Sequence, residues 1–507
     1  MPPVEAVELS SFDASGSVGG DGSGGWIERV NPARFSQVVG RVAAVGTAGA
    51  DTAVVAAHGA FDAWSEMSVD ERLELLEEAA DAVAATSDDL GPLLARELGK
   101  VVADCSGEMG FAAAYLRHAI AATRRVGVDD ELDDDMGRLR IIRRPYGVCV
   151  AIVPWNAPLI LSILKVAPAL ATGNTIVVKP SPLAPLAVTA ALHTIAAVLP
   201  PGVLSVLHGD AEVGETLVGH PLVRKVAFTG GGTVARMVAT TAATNVTPVV
   251  LELGGNDAAV VLDDAPLDDE LFERLVWGTF LTSGQVCMAA KRLFVHSSRL
   301  AEFEQGYLAA AERLLVMGDP LDPQVTVGPM VSAQQRDFVA GLVADSASRG
   351  GVVHELGTVS DGIDVDGGWF CRPTLVTGAA DDWPVVAEEQ FGPTVPLLGF
   401  DEIDEVVDRV NADQYGLASS VWSEDEDRAF AIAERIEAGF TFVNCHNRAG
   451  MSLRAPFGGW KQSGYGREFG DAGVAEYLQT HSIHVPTAMR LGDRAPEYST
   501  GADAYPS

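Results

Sequence analysis

The amino-acid sequence predicts an α/β protein built around a parallel β-sheet. Between residues 146 and 254, short apolar segments of strand length alternate with segments of helical pattern. Strands that are apolar on both faces and separated by helices are typical of a parallel sheet covered on both sides. The predicted strands are residues 147–153, 174–179, 202–207, 223–228 and 246–251, and the helices begin near residues 158, 185, 211 and 232.

A second α/β pattern follows between residue 291 and about residue 444. Strands are predicted near residues 292–296 and 395–400, and helices near residues 300–315 and 424–438. The length of 507 residues corresponds to roughly two to four domains. A composition of 48% hydrophobic and 21% charged residues is globular. The formal net charge of −34 argues against nucleic acid and anionic membranes as partners.

Cysteine usage predicts a reduced, cytoplasmic protein. The five cysteines are widely spaced, and no CxxC or Cys/His metal-ligand spacing occurs, so we expect no metal site. The N-terminus lacks a basic region followed by an apolar run, which argues against a signal peptide. The longest apolar runs, such as residues 147–153, are too short for a membrane span.

The first part of the chain is predicted to be structural. Residues 1–25 are rich in Ser, Gly and Asp, and we predict a disordered tail. The GxGxxG spacing at residues 20–25 is rejected as a nucleotide motif because no predicted strand precedes it. Folding is expected to begin near Trp26.

Helices and a hairpin are predicted next. The capping-box spacing of residues 68–71 starts a helix that runs towards residue 87, and a second helix covers about residues 90–103. An acidic run at residues 129–135 and a basic run at residues 138–145 predict a solvated β-hairpin.

Polar or glycine-rich segments follow four strands of the first pattern. The carboxyl ends of parallel strands lie at one edge of the sheet, where such sheets bind ligands. A nucleotide-binding site is therefore predicted at this edge. The segments are residues 154–156, residues 179–181, residues 228–232 and Glu252.

Glu252 and Cys287 are the candidate catalytic pair. They are 35 residues apart (287 − 252), so only the fold can bring them together. A thiol attacks well only as thiolate, and a nearby carboxylate is a reasonable companion. Taken alone, the two residues are more simply a buried cysteine and a strand-end glutamate. The glycine-rich residues 456–468 carry aromatic and charged side chains, which predicts an ordered functional loop rather than a linker.

Seven motifs, in this order, resemble the aldehyde dehydrogenase superfamily over about residues 26–485. The resemblance implies an NAD(P)-dependent, non-acylating member that oxidises an aldehyde to a carboxylic acid. A coenzyme A-acylating relative is the alternative, and the presence of Glu252 favours hydrolysis. The motifs are residues 154–156, residues 179–181, residues 228–230, residues 252–255, residues 284–287, Glu389 with residues 391–393, and residues 456–459.

The resemblance implies three units. An exposed β-ribbon has an unpaired edge, so a homodimer or homotetramer is expected. The units are a Rossmann-like cofactor domain (residues 26–121 and 145–254), an α/β catalytic domain (residues 255–460) and a small β oligomerisation element (residues 122–144 and 477–490). Residues 491–507 are expected to form a tail.

The resemblance also assigns catalytic roles. Cys287 would add to the aldehyde carbon, and the Asn156 amide would stabilise the oxyanion together with the backbone N–H of Cys287. Glu252 would activate the water that hydrolyses the thioester. Lys165 and Glu468 would complete a proton path from Glu252, or form an ion pair between domains.

The implied cofactor is NAD, with NADP feasible. Pro182 stands where NAD-preferring members often carry Glu, so repulsion of a 2′-phosphate is lost. Gly232 replaces a Ser or Thr of many members. Lys179 would hold the adenosine ribose and Glu389 the nicotinamide ribose. All implied cofactor contacts are Val153, Pro154, Trp155, Lys179, Ser181, Gly214, Phe228, Thr229, Gly230, Gly231, Leu253, Glu389 and Phe391.

The implied substrate tunnel lacks two bulky rings. Ala157 and Leu164 occupy positions where many relatives have larger side chains, which predicts a roomy apolar tunnel for aromatic or long aliphatic aldehydes. Without an aromatic residue at position 157, a cationic substrate such as betaine aldehyde is disfavoured. The predicted tunnel residues are Ala157, Leu164, Val286, Met288 and Phe457.

Overall fold

Two large β-sheets and one small one organise the chain. The computed structural model describes residues 6–19 and 24–489, and within them it contains 24 strands and 15 α-helices. The strands are β1 (Val7–Asp13), β2 (Gly16–Val18), β3 (Trp26–Asn31), β4 (Arg34–Ala43), β5 (Asp130–Asp134), β6 (Gly137–Pro145), β7 (Val148–Ile152), β8 (Thr175–Lys179), β9 (Leu204–Val206), β10 (Val223–Thr229), β11 (Val249–Glu252), β12 (Asp257–Val261), β13 (Ala290–His296), β14 (Val316–Met317), β15 (Val352–Glu355), β16 (Thr358–Val359), β17 (Thr374–Thr377), β18 (Thr394–Phe400), β19 (Tyr415–Gly416), β20 (Ala418–Trp422), β21 (Phe440–Val443), β22 (Trp460–Lys461), β23 (Gly464–Tyr465) and β24 (Leu478–Pro486).

The helices connect these strands and cover the two large sheets. They are α1 (Thr47–Glu66), α2 (Val69–Ala84), α3 (Ser87–Leu98), α4 (Val102–Val126), α5 (Pro158–Ala171), α6 (Leu186–Ala196), α7 (Ala211–Gly219), α8 (Gly232–Ala243), α9 (Asp269–Phe280), α10 (Leu300–Leu314), α11 (Ala333–Ser348), α12 (Pro384–Ala387), α13 (Ile403–Asn411), α14 (Glu426–Ala433) and α15 (Gly470–Ala475).

The first sheet contains the predicted parallel strands. Its central order is β11-β10-β7-β8-β9, all parallel, and β7 to β11 confirm the five strands predicted from the apolar pattern. Helices α5 to α8 begin within one residue of the predicted positions. After β7 the chain builds outward first through β8 and β9, then on the other side through β10 and β11. The crevice between the ends of β7 and β10 is therefore the switch point where such sheets bind ligands.

The prediction that residues 1–25 form a disordered tail is wrong for the described part. Strand β1 pairs in parallel with β4 and antiparallel with β9, and β2 pairs with β1. The buried Ser11 hydroxyl donates to the Ala43 carbonyl at 3.0 Å and accepts from the His208 N–H at 2.9 Å. These partners lie far away in sequence, so local composition did not reveal the strand. Residues 1–5 and 20–23 lie outside the described residues.

The GxGxxG spacing was rejected as a nucleotide motif because no strand was predicted before it, and this reason is wrong. A strand, β2, does precede it, whereas the sequence analysis expected none. The element that follows is strand β3 rather than a helix, so the arrangement still differs from a dinucleotide-binding motif.

Helix boundaries before residue 130 differ from the prediction. Ser68 caps α2 as predicted, accepting from the Glu71 N–H at 3.2 Å. The second helix ends earlier than expected because Gly99 adopts a left-handed conformation with φ 82°. A separate 25-residue helix, α4, then begins at Val102. Its last turn includes residues 122–126, which the sequence analysis had placed in the β oligomerisation element.

The second large sheet has the order β15-β17-β18-β13-β12-β20-β21 and is parallel except for β15. It contains the two predicted strands as β13 and β18, and the predicted helices as α10 and α14. The glycine-rich loop returns from this region to the first sheet, where β23 pairs with β11. Leu251 and Glu252 are thereby held against residues of that loop.

The predicted hairpin is part of a small antiparallel sheet with the order β24-β6-β5. All nine residues of β24 pair with β6. Acidic side chains of the hairpin form ion pairs with basic ones on β6, including Asp130 with Arg143 at 2.9 Å. Most of β24 is exposed, including Ile483. The predicted tail at residues 491–507 lies outside the described residues.

Two kinds of feature are absent from residues 6–19 and 24–489. No helix in this part combines the length and the apolar character needed to cross a bilayer. No group of three or more His, Cys, Asp or Glu side chains in the same part is placed to hold a metal ion.

Candidate active site

Cys287 lies in the loop between α9 and β13, whose backbone is held in an uncommon conformation. Thr282, Ser283 and Gly284 have positive φ angles of 55°, 56° and 70°. Thr and Ser adopt this region only where the surrounding structure enforces it. At position 284 a Cβ would lie 2.3 Å from the Gly392 carbonyl oxygen, so only glycine fits.

Side chains on both sides of Cys287 anchor this loop. The Gln285 side-chain oxygen accepts from the Val331 N–H at 3.1 Å. The buried Lys291 ammonium donates to the Gly284 carbonyl. The loop is therefore attached to neighbouring segments on either side of the thiol, which keeps the thiol in place.

Asn156 follows β7 and contacts the same loop. Its side-chain N–H donates to the Gln285 carbonyl at 3.0 Å, two residues before Cys287. The amide has a second N–H, which is available to a ligand. Asn156 does not cap the following helix, because the carboxylate of Glu108 accepts from the Leu159 N–H at 3.0 Å instead.

Glu252 is the last residue of β11, and its carboxyl group is buried. Its Oε1 atom has no hydrogen-bond partner among the described residues. Burial, and then the charge of Glu468, raise the pKa of Glu252 well above its usual range. A Cβ at position 458 would lie 2.9 Å from Oε1, so Gly458 of the glycine-rich loop leaves room for the carboxyl group.

Lys165 and Glu468 form a buried ion pair beside Glu252. The Lys165 ammonium donates to Glu468 at 2.6 Å and to the Thr229 hydroxyl at 2.7 Å. Charges on Lys165 and Glu468 both act on the pKa of Glu252. The two carboxyl groups are not joined by a direct hydrogen bond, so a proton path from Glu252 requires a bridging water.

Two cavities meet at Cys287. One has a volume of about 290 Å³ and opens between the ends of the first-sheet strands and helix α11. The other, of about 140 Å³, extends towards α4 and α5. The residues that line both are Asn156, Leu161, Thr229 and Cys287. A molecule in either cavity can therefore reach the thiol.

The larger cavity presents groups of the kind that hold one end of a dinucleotide. The Glu389 carboxylate accepts from the Gly255 N–H at 3.0 Å, and burial raises the pKa of Glu389 to about 7. A Cβ at position 254 would lie 2.2 Å from Glu389, so Gly254 forms a cradle for that carboxylate. Trp155 and Phe391 meet edge to face, with ring centroids 5.6 Å apart. The cavity therefore has a carboxylate acceptor beside an aromatic wall.

The start of helix α8 forms another wall of this cavity. Gly231 is the N-cap and has no side-chain cap, so the first N–H groups of the helix face outward. A Cβ at Gly231 would have no atom within 4 Å, which indicates open space. A helix N-terminus of this kind is suited to a phosphate group. Eight predicted cofactor residues line the cavity: Pro154, Trp155, Thr229, Gly230, Gly231, Leu253, Glu389 and Phe391.

The other five predicted cofactor residues lie outside this lining. Burial lowers the pKa of Lys179 at the end of β8, and Asp210 opposes the shift. A Cβ at Gly214 would be 3.7 Å from the Lys179 side chain. The Ser181 hydroxyl accepts from a backbone N–H at 3.2 Å, and Val153 donates to the Lys179 carbonyl at 3.2 Å. Phe228 is buried beside Gly230.

All five predicted tunnel residues line the smaller cavity, together with Glu252 and Glu468. Two further charged residues, Lys100 and Arg448, line it as well, and the sequence analysis missed both. Each stands alone in its segment, so no local motif marked it. Helix α11 adds Gln335 and Phe338 to the larger cavity, also without a local signal.

The environment of Cys287 favours the protonated thiol. Burial raises the pKa of Cys287 most, and the carboxyl groups of Glu389, Asp257 and Glu252 raise it further. The Met288 N–H partly opposes this shift by hydrogen bonding to the sulfur. Efficient attack by sulfur therefore depends on a group that removes the proton or offsets the negative charge.

A parallel sheet with a ligand crevice at its switch point, joined to a second α/β domain that presents a half-buried thiol, defines a class of covalent dehydrogenases. The chain belongs to the aldehyde dehydrogenase family, whose model matches residues 20–483. The predicted family and the α/β fold are thereby confirmed.

Similar proteins match over nearly the whole chain. A betaine aldehyde dehydrogenase from Rhizobium leguminosarum bv. trifolii (strain WSM2304) is 35% identical over 95% of this chain and 98% of its own. A 2-hydroxymuconic semialdehyde dehydrogenase from Pseudomonas sp. (strain CF600) is 38% identical, covering 94% and 99%. The structure of an NAD-dependent aldehyde dehydrogenase from Sinorhizobium meliloti is 31% identical, with a TM-score of 0.90 and coverage of 98% and 97%. An NADP dependent enzyme of E. coli is 32% identical, with a TM-score of 0.88 and coverage of 94% and 98%.

Proposed function

We propose that the protein oxidises an aldehyde to a carboxylic acid with NAD(P) through a covalent intermediate on Cys287. The observation that carries this proposal is the position of Cys287 at the junction of two cavities. One cavity suits a dinucleotide and the other a small substrate. Asn156 and Glu252, the two other proposed catalytic groups, adjoin the same junction.

The first half of the reaction forms a thioester. The Cys287 sulfur adds to the aldehyde carbon, and the resulting oxyanion accepts hydrogen bonds from the free N–H of Asn156 and the backbone N–H of Cys287. A donor of this kind contributes about 10²- to 10³-fold to kcat. A bound nicotinamide would supply the acceptor for the hydride that leaves the carbon. Cys287 then holds the acyl group as a thioester.

Glu252 acts in the second half. Its raised pKa makes it a stronger base than an exposed carboxylate, so its ionised form can take a proton from water near neutral pH. Water attacks the thioester, the carboxylic acid leaves, and the Cys287 thiol recovers its proton. The ion pair between Lys165 and Glu468 keeps both of their charges beside Glu252.

NAD is the proposed cofactor, and NADP is the alternative. The cradle at Gly254 and the open backbone at Gly231 fit the ribose and phosphate groups that both share. The NAD-dependent and the NADP dependent enzyme described above are 31% and 32% identical to the chain, so sequence similarity does not separate the two cofactors. Pro182 is exposed near Lys179 and offers no carboxylate to a 2′-hydroxyl.

We also propose a homodimer or homotetramer in a reducing cytoplasm. The exposed strands β24 and β5 form the edges of the small sheet and are available for pairing. All five cysteines, each within the described residues, are free thiols.

The test is reduced-nicotinamide absorbance over an aldehyde panel with NAD and with NADP, with and without coenzyme A. We expect coenzyme A-independent turnover in the wild type. Cys287→Ala should lower kcat by on the order of 10⁴-fold or more, because loss of a covalent nucleophile has effects of that size. Cofactor binding should persist.

The control is Cys445→Ala, which removes a half-buried thiol that lines neither cavity. It should leave turnover unchanged. Undiminished activity in Cys287→Ala would refute the proposal, and an absolute need for coenzyme A would support the acylating alternative.

A further inference from the structure

Two positively charged side chains line the smaller cavity, and neither has a role in the proposed reaction. Apart from Glu252 and Glu468, the only charged side chains among its described lining are Lys100 and Arg448. Most of the remaining wall is apolar, with residues such as Phe111 and Met451. Cations in a largely apolar wall are unfavourable unless each has a partner, and the hydrogen-bond donors that such a partner leaves unused are available to a ligand.

Lys100 is buried, and its carboxylate partner lies behind the cavity wall. Its ammonium contacts Glu108 at 2.6 Å. Glu108 does not line the cavity and also accepts from the N–H groups of Leu159 and Ile160 at the start of α5, at 3.0 and 3.3 Å. The carboxylate is therefore shared with a helix N-terminus. One of the three ammonium donors is used by Glu108, which leaves others for a ligand.

Arg448 is also paired with a carboxylate that does not line the cavity. Its guanidinium contacts Asp104 at 3.0 Å, and Asp104 does not line the cavity. Asp104 lies one turn before Glu108 on α4, so both carboxylates belong to one helix outside the wall. The cations face the cavity while their counter-charges stand behind them. A guanidinium has five N–H donors, more than one carboxylate partner can use.

We propose that this cavity binds an aldehyde whose far end carries a carboxylate, held by Lys100 and Arg448. This substrate assignment rests on the proposed function and deepens it. A carboxylate accepts charge-assisted hydrogen bonds from an ammonium and a guanidinium, and these are strong where water is excluded. A quaternary ammonium aldehyde would meet like charge instead.

The volume of the cavity limits the length of the substrate. A cavity of about 140 Å³ is close in size to one of about 150 Å³ that binds benzene. A short ω-oxo acid of four to six carbons is of this size. The size of the cavity thus disfavours the long aliphatic aldehydes expected from Ala157 and Leu164, and its two cations favour a short anionic aldehyde over a neutral aromatic one.

The experiment compares kcat/KM for 4-oxobutanoate, 5-oxopentanoate and 6-oxohexanoate with that for butanal, pentanal and hexanal, with betaine aldehyde included. At least one oxo acid should exceed the alkanal of equal length by about 10- to 100-fold, the range expected for hydrogen bonds to a charged group. The difference should lie mainly in KM. Higher kcat/KM for the alkanals or for betaine aldehyde would overturn the proposal.

Arg448→Gln should remove most of this preference, and Arg448→Lys should retain part of it. Neither should change kcat/KM for alkanals by more than about threefold, because a neutral substrate makes no ionic contact. Arg454→Gln is the matched control, since Arg454 is an exposed residue of the same segment and does not line the cavity. Equal behaviour of Arg448→Gln and Arg454→Gln towards oxo acids would overturn the assignment.

Lys100 needs a paired substitution, because Lys100→Met alone leaves the buried Glu108 without its cation. The double variant Lys100→Met with Glu108→Gln should also lose preference for oxo acids while it oxidises alkanals. Alkanal oxidation without any preference for oxo acids overturns only the substrate assignment. Absence of oxidation of every aldehyde by the wild type overturns the proposed function as well.

Discussion

The two cavities that meet at Cys287 are built in different ways. The cofactor side is formed largely by strand ends and glycines of one sheet, near β7, β10 and β11. The substrate side is formed by side chains from α4, α5 and separate loops. The position of the backbone at a sheet edge is set by the topology of the sheet, whereas a cavity wall made of side chains can be changed by single substitutions. Cofactor binding is therefore a property of the fold, and substrate choice a property of individual side chains.

The two sides also differ in their charged groups. On the cofactor side, burial raises the pKa of Glu389, and a backbone N–H holds its carboxylate over a glycine cradle. On the substrate side, Lys100 and Arg448 face the cavity with their partners behind them. Glu252 lies on the substrate side and Asn156 borders both. Substitutions on each side should therefore change different kinetic constants.

After loss of the nucleophile itself, the largest effect within the site should come from Glu252→Gln. Loss of the general base should lower steady-state turnover by about 10²- to 10⁴-fold, while formation of the thioester continues. Stopped-flow absorbance should then show a burst of reduced cofactor equal to the number of active sites. A variant that slows the burst as much as steady-state turnover would place Glu252 in the first half of the reaction instead.

Asn156→Ala should slow formation of the thioester, the half of the reaction that produces the burst of reduced cofactor. Removal of one oxyanion donor should slow the burst by about 10²- to 10³-fold. Dinucleotide affinity, measured by fluorescence titration, should stay within a few-fold, because the proposed role of the lost N–H is to donate to the substrate oxygen. Because Asn156 also contacts the Gln285 carbonyl, thermal unfolding must be measured in parallel. An unchanged burst rate would contradict the assignment.

The pH dependence of Cys287 alkylation should show that the surroundings of the thiol raise its pKa. Burial and nearby carboxyl groups raise its pKa, so the thiol is protonated at neutral pH. Below that pKa the thiolate fraction grows about tenfold per pH unit, and the iodoacetamide rate of the protein without cofactor should rise accordingly from pH 7 to pH 9. Peptide mass spectrometry identifies the site. A plateau below pH 8 would show that the pKa is not raised.

The smallest effect should come from Pro182→Glu at the far end of the cofactor side. A carboxylate there repels a 2′-phosphate and accepts from a 2′-hydroxyl. The ratio of kcat/KM for NAD to that for NADP should rise about tenfold, which corresponds to roughly 1.4 kcal/mol. Pro182→Gln, which lacks the charge, should change the ratio less. Equal effects of the two variants would mean that charge does not decide cofactor preference at this position.

Much of the first sheet could be predicted because its signals are local. Strand β7 is a continuous apolar run, β8 and β10 each contain a shorter apolar stretch, and segments of helical pattern lie between them. The strand-end motifs then predicted one edge of the site. Strand β1 was missed because its partners, β4 and β9, are distant in sequence. The boundary between α3 and α4 was missed because it depends on one left-handed glycine.

The sequence by itself determined the family, the α/β pattern and the candidate residues Glu252, Cys287 and Asn156, since each belongs to a short motif. Only the tertiary structure decided that Asn156 contacts the loop of Cys287. It alone placed Lys100 and Arg448 in one cavity wall. Local patterns specify elements through neighbours in the chain, whereas a cavity joins residues hundreds of positions apart through packing. Lone charges carry no local pattern, so their role emerges only when the fold brings them together.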